Sequence, residues 1–322
     1  MISAVKRREQ AVSRSSSRSS AAVPKAPSPR PASARTAPDE PPEPDGDGRA
    51  ARPNRAGRNL PAAIGVGVGL AAVILASLLV VKAVFVALIA AVVVLGLREL
   101  AGAFRERDVR IPLIPVTVGG LGMIAVAYFK GEDALAAALA LTAVATVVWR
   151  LADGSEGFLR DASAGVFSAV YVPYLAGFAA LLTSADHGAQ RVLIFLILVV
   201  CNDTGGYIAG VLIGRHPMAP SISPKKSWEG LVGSLLAAGA AGAVCLPLML
   251  HGAAWQGAVL GAAAVVSATL GDLCESMIKR DLGIKDMGSL LPGHGGIMDR
   301  LDSLLPTAPV IWLLLTLFVP VK

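Results

Sequence analysis

The sequence is poor in charged and in aromatic side chains. Of its 322 residues, 16% are Asp, Glu, Lys or Arg and 5% are Phe, Trp or Tyr, whereas soluble domains carry about a quarter charged residues. The stretches from Pro61 to Val81 and from Leu231 to Leu250 contain no charged residue at all. Together with a mean hydropathy of +0.63, this composition excludes an ordinary soluble protein and indicates a membrane protein.

Cysteine and histidine are also scarce. The three cysteines, Cys201, Cys245 and Cys274, lie in or at the ends of apolar segments and have no CxxC spacing. We interpret them as small buried side chains, and not as disulfide, redox or metal-binding groups. Of the four histidines only His294 lies among the polar runs described below, and with one histidine and no thiolate pair we expect no zinc site.

Nucleic-acid binding is not indicated, although the formal net charge is +6. Twelve of the 29 Lys and Arg residues lie in the first 58 positions, so the positive charge belongs to a tail. The interleaved aromatic residues of a nucleic-acid surface are absent. We expect no nucleic-acid partner.

The chain divides into two regions of different composition. Residues 1–58 are rich in Ser, Pro, Arg and Ala and nearly lack large apolar residues, so they cannot bury enough surface to offset their chain entropy. A disordered tail is predicted there, in preference to a cleaved targeting segment. Residues 59–322 are predicted to form the transmembrane domain.

The transmembrane domain holds about nine apolar segments, most of which reach the roughly 17–25 residues that a membrane-spanning helix needs. They are 61–81, 83–97, 111–129, 134–151, 162–182, 191–213, 230–250, 252–271 and 304–320. The second is short. The predicted fold class is therefore all-α, a polytopic transmembrane helical bundle.

The distribution of positive charge predicts the orientation of this bundle. With the N-terminus inside, thirteen Lys and Arg residues fall on inner loops and four on the outer side, besides the twelve in the tail. Because cytoplasmic loops hold the excess of Lys and Arg, we expect a cytoplasmic N-terminus. The glycines at 206, 210 and 214 are interpreted as a packing stripe.

A first run of polar residues begins inside the sixth predicted span. Asp203 follows Asn202 near the middle of that span, where an ionised carboxylate is costly. We therefore expect Asp203 to face protein or a water-filled cavity, either as a functional group or as a hydrogen-bonding group between helices. The run continues on the next inner loop with Ser223, Pro224, Lys225, Lys226, Ser227, Trp228, Glu229 and Gly230.

A second run lies on the following inner loop. Asp272, Glu275, Ser276 and Lys279 have the spacing of one helical face. Three glycines at 293, 295 and 296 allow backbone N–H groups to converge on an anion. Positive charge comes from Lys279, Arg280, Lys285 and Arg300.

The carboxylates of the second run suggest a cation. Asp272 and Asp299 can hold a divalent metal through oxygen ligands. Such a metal with cations and a glycine loop is typical of polyphosphate binding. Asp302 and Ser303 can instead cap the start of the last span. His294 is either a phosphate ligand or a residue that forms hydrogen bonds within the loop.

These motifs resemble one family. The run from Ser276, Lys279 and Arg280 through Lys285, Asp286 and Pro292-Gly-His-Gly-Gly296 to Asp299, Arg300 and Asp302 is similar to the signature of the phosphatidate cytidylyltransferases, or CDP-diacylglycerol synthases. Asn202-Asp203 and the run from Ser223 to Gly230 also look like that family. The resemblance is firm from about residue 191 to 305.

The resemblance implies an Mg²⁺-dependent enzyme, with or without a second cation, that makes CDP-diacylglycerol and pyrophosphate from CTP and phosphatidate. It implies a multi-pass protein of the cell (inner) membrane, in contact with membrane lipids, with its site facing the cytoplasm, and it suggests a homodimer. The metal would be held by Asp272 and Asp299. A polyprenol or phytol kinase-like enzyme that uses CTP is the alternative, and a transporter is a more distant one.

On this reading the predicted site residues form two groups. Those assigned to catalysis are Asp272, Lys279, Arg280, Lys285, Asp299 and Arg300. Those assigned to substrate binding are Asn202, Asp203, Ser223, Lys225, Lys226, Ser227, Asp286, His294, Gly295, Gly296 and Asp302. The sequence does not divide the cationic residues between CTP and phosphatidate.

Overall fold

The fold is known from a computed structural model, which describes residue 69, residues 72–288 and residues 296–320. Within these ranges the protein is helical apart from one two-stranded antiparallel sheet. The predicted tail, 1–58, lies outside the described residues, as do His294 and Gly295 of the glycine loop.

Eight helices of the described residues are long and apolar enough to cross a membrane. They are α1 (Lys82–Arg105), α2 (Leu113–Lys130), α3 (Glu132–Leu151), α4 (Phe158–Ser184), α5 (Gly188–Ile213), α6 (Trp228–Leu250), α7 (Ala254–Leu282) and α8 (Met298–Phe318). The strands β1 (Pro217–Ala219) and β2 (Ser223–Ser227) form a hairpin between α5 and α6. The predicted all-α, multi-pass architecture is confirmed.

These helices correspond to the second to ninth predicted spans. About half of the first predicted span lies outside the described residues, but residues 72–80 are helical and extended Val81 separates them from α1. The prediction of a short second span was wrong. It ended at the charge of Arg98, whereas α1 continues to Arg105 because the next charged residue, Glu99, is buried in the protein.

Two apolar cores hold the bundle together, and α8 contributes to both. Its Leu305 belongs to a core formed mainly with α1, α2 and α4. Its Ile311 and Leu315 belong to a core formed with α5, α6 and α7. Many large apolar side chains on the outside stay exposed, such as Phe129 and Leu212, each 75% exposed, as expected of surfaces that face lipid.

Glycines bring α5, α6 and α7 into close backbone contact. A Cβ atom at Gly205 would lie 2.6 Å from the Cβ of Ala237, and one at Gly206 would lie 2.6 Å from the Oγ of Ser234. Gly242 of α6 and Gly257 of α7 pack so tightly that neither has room for a side chain. The predicted packing role of the glycine stripe is thus confirmed at Gly206.

One end of the bundle is linked by polar contacts. Asp161, at the start of α4, is 1% exposed and accepts hydrogen bonds from Arg150 Nε at 3.2 Å and from the backbone N–H of Arg110 at 3.1 Å. Arg107 Nε donates to the carbonyl oxygen of Leu282 at 3.0 Å. The loops after α1 and α3 and the end of α7 therefore meet at this end.

Candidate active site

A cavity of about 320 Å³ opens between α5, the β-hairpin, α6 and α7. Its wall includes Asn202 and Asp203 of α5 and Asp272 of α7. The hairpin adds Ser223, Lys225, Lys226 and Ser227. The structure thus brings together the first polar run and one end of the second, although they lie about 50–70 residues apart in the sequence.

The hairpin is fixed to the start of α6 by a helix cap. Ser227 has extended backbone angles, and its Oγ accepts the backbone N–H of Gly230 at 3.1 Å, which satisfies one of the free donors at the helix start. Glu229 accepts the backbone N–H groups of Arg215 and His216, both at 3.2 Å. These contacts fix the position of β2, and with it Lys225 and Lys226, relative to the start of α6.

Lys226 and Asp272 form an ion pair across the cavity wall. Their side chains are 28% and 20% exposed, so both groups remain accessible from the cavity. Lys225 is exposed beside them. Two carboxylates, with Asp203 as the second, and two ammonium groups at one cavity suit a ligand that carries phosphates and a cation.

Asn202 and Asp203 form the α5 side of the cavity. Asn202 is 5% exposed; its Nδ2 donates to Asp203 Oδ1 at 2.9 Å, and its carbonyl oxygen accepts from Ser234 Oγ at 2.6 Å. Asp203 lies close enough to Asp272, Lys226 and Arg300 for their charges to interact. The costly mid-span carboxylate therefore faces a polar cavity and not lipid.

Asp299 has a different environment from Asp272. Its carboxylate accepts Lys279 Nζ at 2.9 Å, the backbone N–H of Gly296 at 2.9 Å and that of Met287 at 3.2 Å. The side chains of Lys279 and Asp299 are 15% and 12% exposed. Asp299 thus ties the two described ends of the glycine loop to α7.

Glu99 of α1 contacts the glycine loop, which the sequence did not predict. Its side chain is buried, its Oε2 accepts the backbone N–H of Met298 at 2.9 Å, and a Cβ atom at Gly296 would lie 2.7 Å from that same oxygen. Gly288 also packs against the Glu99 carboxyl group. The available signal was an acidic residue at the edge of a predicted span, but a solvated helix end explained it equally well.

A second buried acidic group lies beside the loop. Glu275 is 0% exposed, with its Oε1 3.4 Å from Lys279 Nζ, and its carboxyl group lies near that of Asp302. Neither oxygen of Glu275 accepts a hydrogen bond from the residues that the structure describes. Asp302 Oδ1 accepts the backbone N–H of its neighbour Ser303 at 2.7 Å.

The remaining predicted residues are not gathered at the cavity. Arg280, Lys285 and Asp286 are exposed at the end of α7 and just after it. Arg300 is exposed at the start of α8, where its charge interacts with Asp203.

The carboxylate side chains present are the kind of ligand that a magnesium ion takes. The described part of the chain contains no cluster of three or more His, Cys, Asp or Glu with metal-binding geometry. Mg²⁺ is usually held by one or two carboxylates and by substrate phosphates. Asp272 provides one carboxylate on the cavity wall. Asp299 accepts N–H donors on both oxygens, so it would have to exchange a donor to bind a metal.

Comparison with known proteins identifies the family. The model of the cytidylyltransferase family matches residues 61–318. A phosphatidate cytidylyltransferase of Mycobacterium leprae is 44% identical over 279 residues, which cover 82% of this chain and 89% of the relative, and one of Mycobacterium bovis is 42% identical over 277 residues, 82% and 90%. A Brucella suis phosphatidate cytidylyltransferase is 37% identical over 150 residues, 45% and 56%. The chain therefore belongs to the cytidylyltransferase family, and it is a multi-pass membrane member of it.

Proposed function

We propose that the protein is a CTP:phosphatidate cytidylyltransferase that forms CDP-diacylglycerol and pyrophosphate. The observation that carries this proposal is a polar cavity with two lysines and carboxylates at one end of a membrane-spanning bundle. A water-soluble nucleotide can enter such a cavity while a lipid stays in the bilayer. The names of the relatives support the same activity.

In the proposed reaction, a phosphate oxygen of phosphatidate attacks the α-phosphorus of CTP. A new P–O bond forms, the bond from the α-phosphorus to the bridging oxygen of the β-phosphate breaks, and pyrophosphate leaves with that electron pair. Because the nucleophile is already an anion, the site does not need a strong general base. Catalysis then depends on alignment and on neutralisation of the phosphate charge.

The cavity residues have distinct proposed roles. Lys226 and Lys225 bind phosphate oxygens, and Lys226 leaves its ion pair with Asp272 when it does so. Asp272 then has free lone pairs for Mg²⁺, which, when bound, would neutralise charge on the phosphates. Asp203 and Asn202 border the same space and are assigned to substrate binding.

The loop residues have proposed positioning roles in the same reaction. Lys279 and Asp299 are joined at 2.9 Å, and they hold the start of α8 against α7. This contact sets where the exposed guanidinium of Arg300 lies, close enough to interact with Asp203. Asp299 is the second proposed carboxylate for the metal, in a state in which Lys279 donates to a substrate phosphate instead.

The site is proposed to lie on the cytoplasmic side of the cell (inner) membrane. CTP is a cytoplasmic nucleotide, and the predicted inner loops hold most of the Lys and Arg. We expect a cysteine introduced by Ser221→Cys, in a background without Cys201, Cys245 and Cys274, to be protected from an impermeant thiol reagent in intact cells. The matched Asp186→Cys variant, at the other end of the bundle, should react. The opposite pattern would invert the topology and contradict the proposed site.

Product analysis tests the activity itself. Purified protein with phosphatidate, Mg²⁺ and CTP labelled on the α-phosphate should yield labelled CDP-diacylglycerol, and CTP labelled on the γ-phosphate should yield labelled pyrophosphate. A CTP-dependent lipid kinase would instead release CDP and transfer the γ-label to the lipid. That result would replace the proposal by the kinase alternative.

A further inference from the structure

A second cavity, of about 140 Å³, lies among residues 72–80, α1, α4, α5 and α8. Every described residue that lines it is apolar. The polar cavity shares none of these described lining residues. The steps proposed above for CTP and the phosphate groups assign this cavity no role.

Helix α8 connects this apolar cavity to the polar site. Leu301, Leu304, Leu305 and Ala308 line the cavity, and their i, i+3, i+4, i+7 spacing places them on one helical face. Leu301 stands between the charged Arg300 and Asp302 in the sequence. From Leu301 to Ala308 the helix rises about 10 Å, which is about two-thirds of one leaflet of a roughly 30 Å hydrocarbon core.

Helix α1 repeats this arrangement on the opposite wall. Phe85, Leu88 and Val92 line the cavity. The next turn carries Gly96, where a Cβ atom would lie 3.4 Å from the Leu301 side chain. One turn further, Glu99 binds the backbone N–H of Met298. Both walls therefore run from an apolar cavity to the charged end of the bundle.

We propose that this cavity binds one acyl chain of the phosphatidate substrate, an inference that rests on the proposed function. The phosphate head lies at the charged start of α8, and the chain follows Leu301, Leu304 and Ala308 into the leaflet. Since bilayer hydrocarbon is as apolar as the cavity, binding there gains little from the hydrophobic effect. The gain comes from packing contacts and from a fixed position of the phosphate head.

The test is a cavity-filling substitution measured with substrates of two chain lengths. Ala179 of α4 lines the cavity and is half-buried, so Ala179→Phe would occupy the space of the chain. We expect kcat/KM for dioleoyl phosphatidate to fall about tenfold, or about 1.4 kcal/mol, and that for dihexanoyl phosphatidate to change less than about twofold, since its short chains contact only the first turn. The KM for CTP should stay unchanged.

Ala140→Phe is the matched control, because Ala140 is an exposed alanine of another span, α3, and its substitution should affect neither substrate. If Ala179→Phe does not accumulate in membranes, the same comparison is made with Ala179→Leu. Equal losses for both chain lengths, or no loss, would overturn the proposal and leave a structural lipid or the chain's own residues 61–71 as the occupant. Turnover of the short-chain substrate by the unmodified protein tests the proposed function separately.

Discussion

Two lysine–aspartate pairs lie at the same end of the bundle and differ in their surroundings. The pair of Lys226 and Asp272 borders a cavity, and both side chains are more than 15% exposed, at 28% and 20%. The pair of Lys279 and Asp299 is more buried, and Asp299 also accepts two backbone N–H groups. The first pair can exchange partners with a ligand directly, whereas the second can do so only if Asp299 gives up contacts that hold the backbone of the loop.

The largest effect is expected at Asp272. Asp272→Asn keeps the shape of the side chain but removes the charge that would hold Mg²⁺, so kcat should fall by roughly 10³-fold. The free energy of unfolding should change by less than about 1 kcal/mol, because Lys226 borders the cavity and stays accessible there when it loses its partner. A normal turnover in this variant would remove Asp272 from the site.

Asp299→Asn should lower both activity and stability. The amide loses the charge that pairs with Lys279, and its NH₂ group must face either Lys279 Nζ or the backbone N–H of Gly296, neither of which it can accept, at a cost of about 2–3 kcal/mol. Activity assays and thermal unfolding in the same detergent measure the two losses. If turnover is lost while stability is unchanged, Asp299 has the same role as Asp272, and the proposed structural role of the Lys279–Asp299 pair is wrong.

A smaller effect on activity is expected at Glu99, a residue of α1 that binds the end of the glycine loop through the backbone N–H of Met298. Glu99→Ala leaves the buried N–H of Met298 without an acceptor, so stability should fall by about 1–3 kcal/mol and the KM for CTP should rise more than kcat falls. Glu99→Gln retains an acceptor and should restore most of both. Glu106→Ala, at an exposed position just after α1, is the control and should behave as the unmodified protein does.

The apolar segments predicted the positions and order of the eight described spans well, because membrane insertion depends on local composition. Helix ends were predicted less well. At the end of α1 the buried contact of Glu99 with Met298 extends the helix past a charge, and no local pattern indicates a partner about 200 residues away.

The sequence predicted which residue types form the candidate site, but not how its aspartates and lysines pair. The spacing of Asp272 and Lys279 predicted a shared helical face of α7. In the structure Asp272 lines the polar cavity, and Lys279 donates to Asp299. The sequence offered Asp272 and Asp299 as one pair of metal ligands, whereas the structure gives them separate lysine partners. That difference depends on the register between α7, α8 and the hairpin, which only tertiary packing determines.

The glycine contacts of α5, α6 and α7 have a consequence for the route of a lipid into the protein. Helices that touch backbone to backbone, as at Gly242 and Gly257, have no side chains between them that could rotate aside to make a gap. We therefore expect no lipid molecule to pass between these helices at the level of those contacts. On the side of α1, α4 and α8 the apolar cavity is lined mostly by larger side chains that can change rotamer, and we expect lateral entry there.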